Sequence, residues 1–172
     1  MEINKQKISA GLAKYLSIME HLHYTDVSID RDFQKAFNGY YRMRQRSPEY
    51  YKAFFLLLEQ QKENKEITFN DILCQLHETT GIVTPSFSSK LLATIRPEMP
   101  VWDQFVLKNL GLKAPYCSDK NRISKTVLLY ESICNWYFTG DAQEKLSWFN
   151  MNFPEVSISD TKKIDLVLWQ TR

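Results

Sequence analysis

Helix-start and helix-stop signals recur along this chain so densely that almost every segment is committed to a helix. No sustained alternation of apolar and polar residues bounded by hairpin signals competes with them. Ile8, Leu12, Tyr15, Leu16 and Met19 share one face of a first amphipathic helix. Asp30 precedes Phe33, Phe37, Tyr40 and Tyr41 at the same spacing. Ser47-Pro48-Glu49 then supplies an N-cap, a proline at the first helical position and an early acid, opening a helix that carries Phe54, Leu57 and Leu58 inward. Thr68 and Asp71 form a capping box, with Ile67 and Ile72 as a hydrophobic staple, for a helix running to about Thr79 and stopped at Gly81. Asn121 or Ser124 opens a long helix with Ile123, Val127, Tyr130, Cys134 and Tyr137 on one stripe, ending at Gly140. Asp141 and Glu144 read as a second capping box, and Ser159 caps a terminal helix bearing Ile164, Val167 and Leu168. The expectation is one compact all-α domain over residues 1–172, with about eight helices.

A chain of 172 residues buries roughly two thirds of its unfolded surface and needs no disulfide to stand. Its three cysteines, Cys74, Cys117 and Cys134, are scattered and form no C-x-x-C pair, which fits a reducing, cytoplasmic setting. The start lacks the apolar core of a signal peptide, and no window approaches the roughly 18 apolar residues of a membrane span, so a soluble protein without membrane contact is expected. The net charge of +2 neither requires nor excludes a polyanionic partner, because a local patch matters more than the sum.

Several chemistries lose their basis at once. There is no Walker loop, dinucleotide glycine fingerprint, H-E-x-x-H or G-x-S-x-G motif. His21 and His23 face different sides of one helix and His77 stands alone, so no metal site is expected, nor any other cofactor. What remains is Asp103. A short apolar helix, Phe87 to Ile95, leads into Arg96-Pro97-Glu98-Met99-Pro100. Val101-Trp102 then delivers Asp103 to the first turn of a helix that closes at Gly111. An acid so placed is a fixed negative charge, able to stabilise an oxocarbenium-like sugar and to orient water against it. The same residue type also serves as a plain helix cap.

The order of a short helix, a loop, then Pro100-Val101-Trp102-Asp103-x-x-Val106 resembles the segment of the helix-hairpin-helix DNA glycosylase superfamily that carries its catalytic aspartate. More closely, Ser89-Lys90-Leu91-Leu92 followed by Pro97 and Pro100-Val101-Trp102-Asp103 is similar to the S-K-x-L…P-x-x-x-P-x-W/Y-D pattern of small bacterial 8-oxoguanine DNA glycosylase-like proteins. The ending Lys162-Lys163-Ile164-Asp165-Leu166-Val167-Leu168-Trp169 resembles their K-K-x-D-x-x-L-W terminus, a helix expected to pack beside the first one, with Asp165 hydrogen-bonded in the core. The resemblance implies a helical domain that binds DNA, flips a damaged or modified nucleotide into a pocket and cleaves its N-glycosidic bond with Asp103 as the catalytic residue. It calls for no cofactor and no obligatory protein partner.

Two departures bear on mechanism. The superfamily's Gly-x-Gly phosphate-gripping turn is replaced by Thr79-Thr80-Gly81-Ile82-Val83-Thr84-Pro85-Ser86, leaving Thr84, Ser86 and the following helix N-terminus to meet a phosphate. The Schiff-base lysine of bifunctional members has no counterpart at its usual distance upstream of the aspartate, where this chain has the neighbourhood of Pro85. A water-using, monofunctional reaction is therefore expected. Lys90 is left to pair with a carboxylate, bind a phosphate or reach solvent. Trp102, Tyr40, Tyr41 and Tyr130 are stacking surfaces for an extruded base or ordinary core aromatics. Arg42, Arg44 and Arg46, interleaved with aromatics, and Lys108 beside the Asp103 helix are the phosphate candidates, the arginine run serving equally as a solvated turn. The alternative function is a non-catalytic nucleic-acid-binding or protein-interaction module on the same fold.

Overall fold

The computed structural model describes residues 3–170, and among them the regular structure is entirely helical. Nine helices follow in chain order: α1 Lys5–Tyr24, α2 Arg31–Tyr41, α3 Pro48–Gln61, α4 Phe69–Thr80, α5 Pro85–Ile95, α6 Gln104–Asn109, α7 Arg122–Trp136, α8 Gly140–Asn152 and α9 Asp160–Leu168. The caps act as their chemistry dictates. Asp30, Ser47 and Ser159 each accept amide hydrogen bonds from the first turn that follows, and Thr68 and Asp71 cap one another reciprocally. Gly81 ends α4 in the left-handed conformation (φ 72°), where a Cβ would be strained.

Around Gly140 the punctuation differs from the sequence expectation. The α7 helix ends at Trp136, and Gly140 is the first residue of α8 with Thr139 in the capping position, so Asp141 lies in the first turn and forms no box with Glu144. Along α1 the inward face is Ile8, Leu12, Tyr15, Ile18 and Leu22, while Leu16 is 45% exposed and Met19 half-buried. Packing against α2 and α9 selects a face rotated slightly from the one the spacing suggests.

The core is built around α5, where every residue from Phe87 to Ile95 is buried. It is flanked by α3 and α4, and α7 packs on α4. Phe37, Phe54, Phe55, Leu58, Ile72, Leu73 and Leu76 fill the space between them, each such side chain contributing about 1.5–3 kcal/mol relative to exposure. A smaller cluster of Ile8, Leu12, Phe149, Leu166 and Val167 lies beyond, between α1, α8 and α9. Both α1 and α9 contribute to both clusters, and they pack on each other as expected. No described helix is long and apolar enough to cross a membrane.

Candidate functional site

The connector from Arg96 to Asp103 is irregular backbone that is buried from Pro100 to Trp102, so its polar groups there need partners from elsewhere. The Ser89 hydroxyl of α5 accepts a hydrogen bond from the Trp102 amide (2.9 Å) and donates to Ser86 O (3.0 Å). The Tyr130 hydroxyl of α7 donates to Pro100 O (2.7 Å), Arg96 reaches back to Ile67 O (3.2 Å), and Thr161 of α9 donates to Glu98 O (2.8 Å). Ser159 donates to Pro97 O. Groups from four parts of the chain thus hold one loop still, and the loop delivers Asp103.

Asp103 is the N-cap of α6: its Oδ1 accepts from the Phe105 and Val106 amides (2.8 and 2.9 Å), and the residue is half-buried. The cap employs Oδ1. Asp103 also lines a cavity of about 590 Å³, together with Lys90, Tyr40, Tyr41, Arg42 and Trp169 and with Lys7, Ala10, Gly11, Lys14, Gly39 and Gln170. Lys90, only 6% exposed, stands on the core helix with its ammonium 5.3 Å from the Phe87 ring. Burial pushes its pKa down to about 8, against the opposing pull of the Asp103 carboxylate.

Behind the aromatic wall lies a second buried charge. Lys162 Nζ sits 4.7 to 5.8 Å from the rings of Tyr15, Trp169, Tyr41 and Tyr40, with Asp165 Oδ2 at 3.7 Å. Burial lifts the Asp165 carboxyl to about 6, although Lys162 and the hydrogen bond donated by Tyr137 favour its ionised form. The Tyr40 hydroxyl and Trp169 Nε1, both on residues that line the cavity, are buried without a hydrogen-bond partner in the protein.

The fold therefore brings together Asp103, Lys90, Tyr40, Tyr41 and Arg42. It keeps Trp102 and Tyr130 out of the cavity: both are buried and stack on Phe69, with ring centroids 6.3 and 4.0 Å away, so they brace the connector instead. Thr84 is buried and bonded to the Tyr50 hydroxyl (2.6 Å), while Ser86 is half-buried, and neither lines the cavity. Arg44 and Lys108 are exposed away from the cavity, and Arg46 lies over the Tyr50 and Phe87 rings at 5.7 and 5.4 Å. Missing from the sequence reading were Lys7, Lys14, Gly11, Gly39 and Gln170. The i, i+4, i+7 series Lys7, Gly11, Lys14 was visible as a helix face, but nothing local marks that face as a cavity wall.

Fold and cleft together define an all-α protein in which a buried lysine and a helix-capping carboxylate meet at an aromatic-walled cavity. Comparison with protein-family models, with curated proteins and with solved structures finds no match to this chain. Among the described residues no three histidine, cysteine, aspartate or glutamate side chains group as metal ligands would.

Proposed function

We propose that the protein is a DNA glycosylase-like enzyme that takes a damaged or modified base, flipped out of its strand, into this cavity and releases it by hydrolysis. The observation that carries the reading is the convergence of Asp103 and Lys90, from different elements, at one cleft walled by Tyr40, Tyr41 and Trp169. A cleft of several hundred Å³ suits a ligand of nucleotide size, and the rings offer a surface for a base whose extrusion the chemistry requires. In the step proposed, the C–N glycosidic bond breaks and its electron pair leaves with the base. A water oxygen bonds to the sugar carbon, and the water proton passes on to the departing base. Asp103 stabilises the positive charge on the sugar and holds the water. Lys90, cationic through most of its population at neutral pH, balances that carboxylate and favours electron flow toward the base.

The test is base release from lesion-containing and modified oligonucleotides, single- and double-stranded, by wild type beside Asp103→Asn. Release by wild type that vanishes in the variant supports the reading and names the base. A second reading, binding without chemistry, draws on the buried Thr84 and the single Gly81 in place of a hairpin grip. It predicts salt-dependent retention of DNA by both proteins and release by neither.

A further inference from the structure

Along the cavity the ordinary preferences of helix α2 are reversed. Gly39 lies in the last turn of the helix, where alanine is still the better former, and an added Cβ there would meet nothing within 4 Å. Three residues later Arg42 takes the left-handed capping position (φ 53°), where glycine is the unstrained choice. Both residues line the cavity. Across from them α1 presents Lys7, Ala10, Gly11 and Lys14 to the same space, two lysines about two turns apart with small residues between. The result is a trough between α1 and α2 lined by small residues and cations. With Lys90, four cations share it with the single carboxylate of Asp103, in a chain whose net charge is only +2.

Local rules broken twice within one turn, and broken toward one cavity, indicate a site that stability alone did not select. We propose that the α1–α2 trough is the phosphate-binding track for the polynucleotide strand. Lys7, Lys14 and Arg42 contact phosphates that flank the nucleotide held in the cavity, and Gly39 lets the sugar-phosphate chain approach the backbone of α2. The proposal rests on the nucleic-acid reading above and adds to it the surface that grips the strand. That surface is supplied by the first two helices, in place of the turn between Thr79 and Ser86.

The experiment is fluorescence anisotropy of the full chain with a labelled single-stranded oligonucleotide containing an abasic-site analogue, over a series of salt concentrations, with thermal melting of each variant. Lys7→Gln combined with Lys14→Gln is expected to make the slope of log affinity against log salt shallower by about 1.4, the loss of two phosphate contacts. The equal charge change Lys52→Gln with Lys120→Gln, at residues lining separate depressions, should leave the slope unchanged. Gly39→Leu and Arg42→Gly are expected to weaken binding by about tenfold while melting at or above the wild-type temperature. A variant that binds poorly because it fails to fold is thus told apart from one that has lost the track. If the wild type binds with a steep salt slope and these variants match the control pair, the track is overturned and the nucleic-acid reading stands. If the wild type shows no salt-dependent binding, both are overturned.

Discussion

Asp103 caps α6, and in the proposed reaction the same carboxylate would also stabilise the sugar; substitutions separate the two jobs. Asparagine caps a helix as well as aspartate does, so Asp103→Asn should fold with near wild-type stability yet release no base. Asp103→Ala should in addition lose about 1 kcal/mol of stability, measured by urea denaturation. Lys90 makes a different statement. Its pKa falls from 10.5 to about 8 on folding because burial disfavours the cation, so between about pH 8 and pH 10 the unfolded chain binds the extra proton and stability rises with pH. Lys90→Met abolishes that gain, and the difference between wild type and variant should approach about 3 kcal/mol across the window. Above pH 10 the sign reverses, because buried Tyr40, Tyr130 and Tyr137 are held protonated in the fold while their unfolded counterparts ionise. Asp103 was legible from its own neighbourhood, since proline, tryptophan and an apolar residue around an acid mark a helix mouth. The depth of Lys90 was not: a lysine beside leucines is equally compatible with a stem that reaches solvent.

At the scale of elements, the connector between α5 and α6 is the part on which the site depends. Ser89 is completely buried, and its hydroxyl alone pairs the Trp102 amide with α5. Ser89→Ala strands that amide, at a cost of about 1–3 kcal/mol in chemical denaturation, and loosens the residue next to Asp103. Base release is therefore expected to fall more than stability does, whereas Ser89→Thr, which keeps the hydroxyl, should retain part of it. The helices flanking this connector could be delimited from caps and prolines, which act over four residues or fewer. The turn at Gly140 misled because a glycine that follows one helix and one that begins the next look the same in sequence; the difference lies in Thr139, whose hydroxyl returns to Trp136 O.

Across the whole molecule, Lys162 and Asp165 tie the end of the chain to its beginning. The pair lies among rings of α1, α2 and the residue following α9, and Tyr137 at the end of α7 donates to its carboxylate. Removing one partner of a buried pair leaves an uncompensated charge, so Lys162→Met should cost about 3–5 kcal/mol where the Asp165 carboxylate is ionised. Burial raises the Asp165 pKa to about 6 even against the pull of Lys162, and without the lysine it rises further, so the penalty should shrink as pH falls from the alkaline side toward about 6. Equilibrium unfolding of wild type and variant across that range measures it. A penalty independent of pH would place the charge elsewhere.

The sequence by itself determined that the chain is helical, where most helices begin, and that Asp103 stands at a helix mouth, because caps, prolines and apolar spacing are local and act through the nearest turn. Only the tertiary structure decided which acid meets which cation. Asp103, Lys90 and Arg42 are carried by separate elements, Lys7 and Lys14 lie far upstream, and Trp169 arrives from the other end. Their meeting depends on how α1 and α9 pack against one another and against the core. Trp102 and Tyr130 show the same limit from the other side, since an aromatic ring serves a pocket wall or a core equally well until its neighbours are placed.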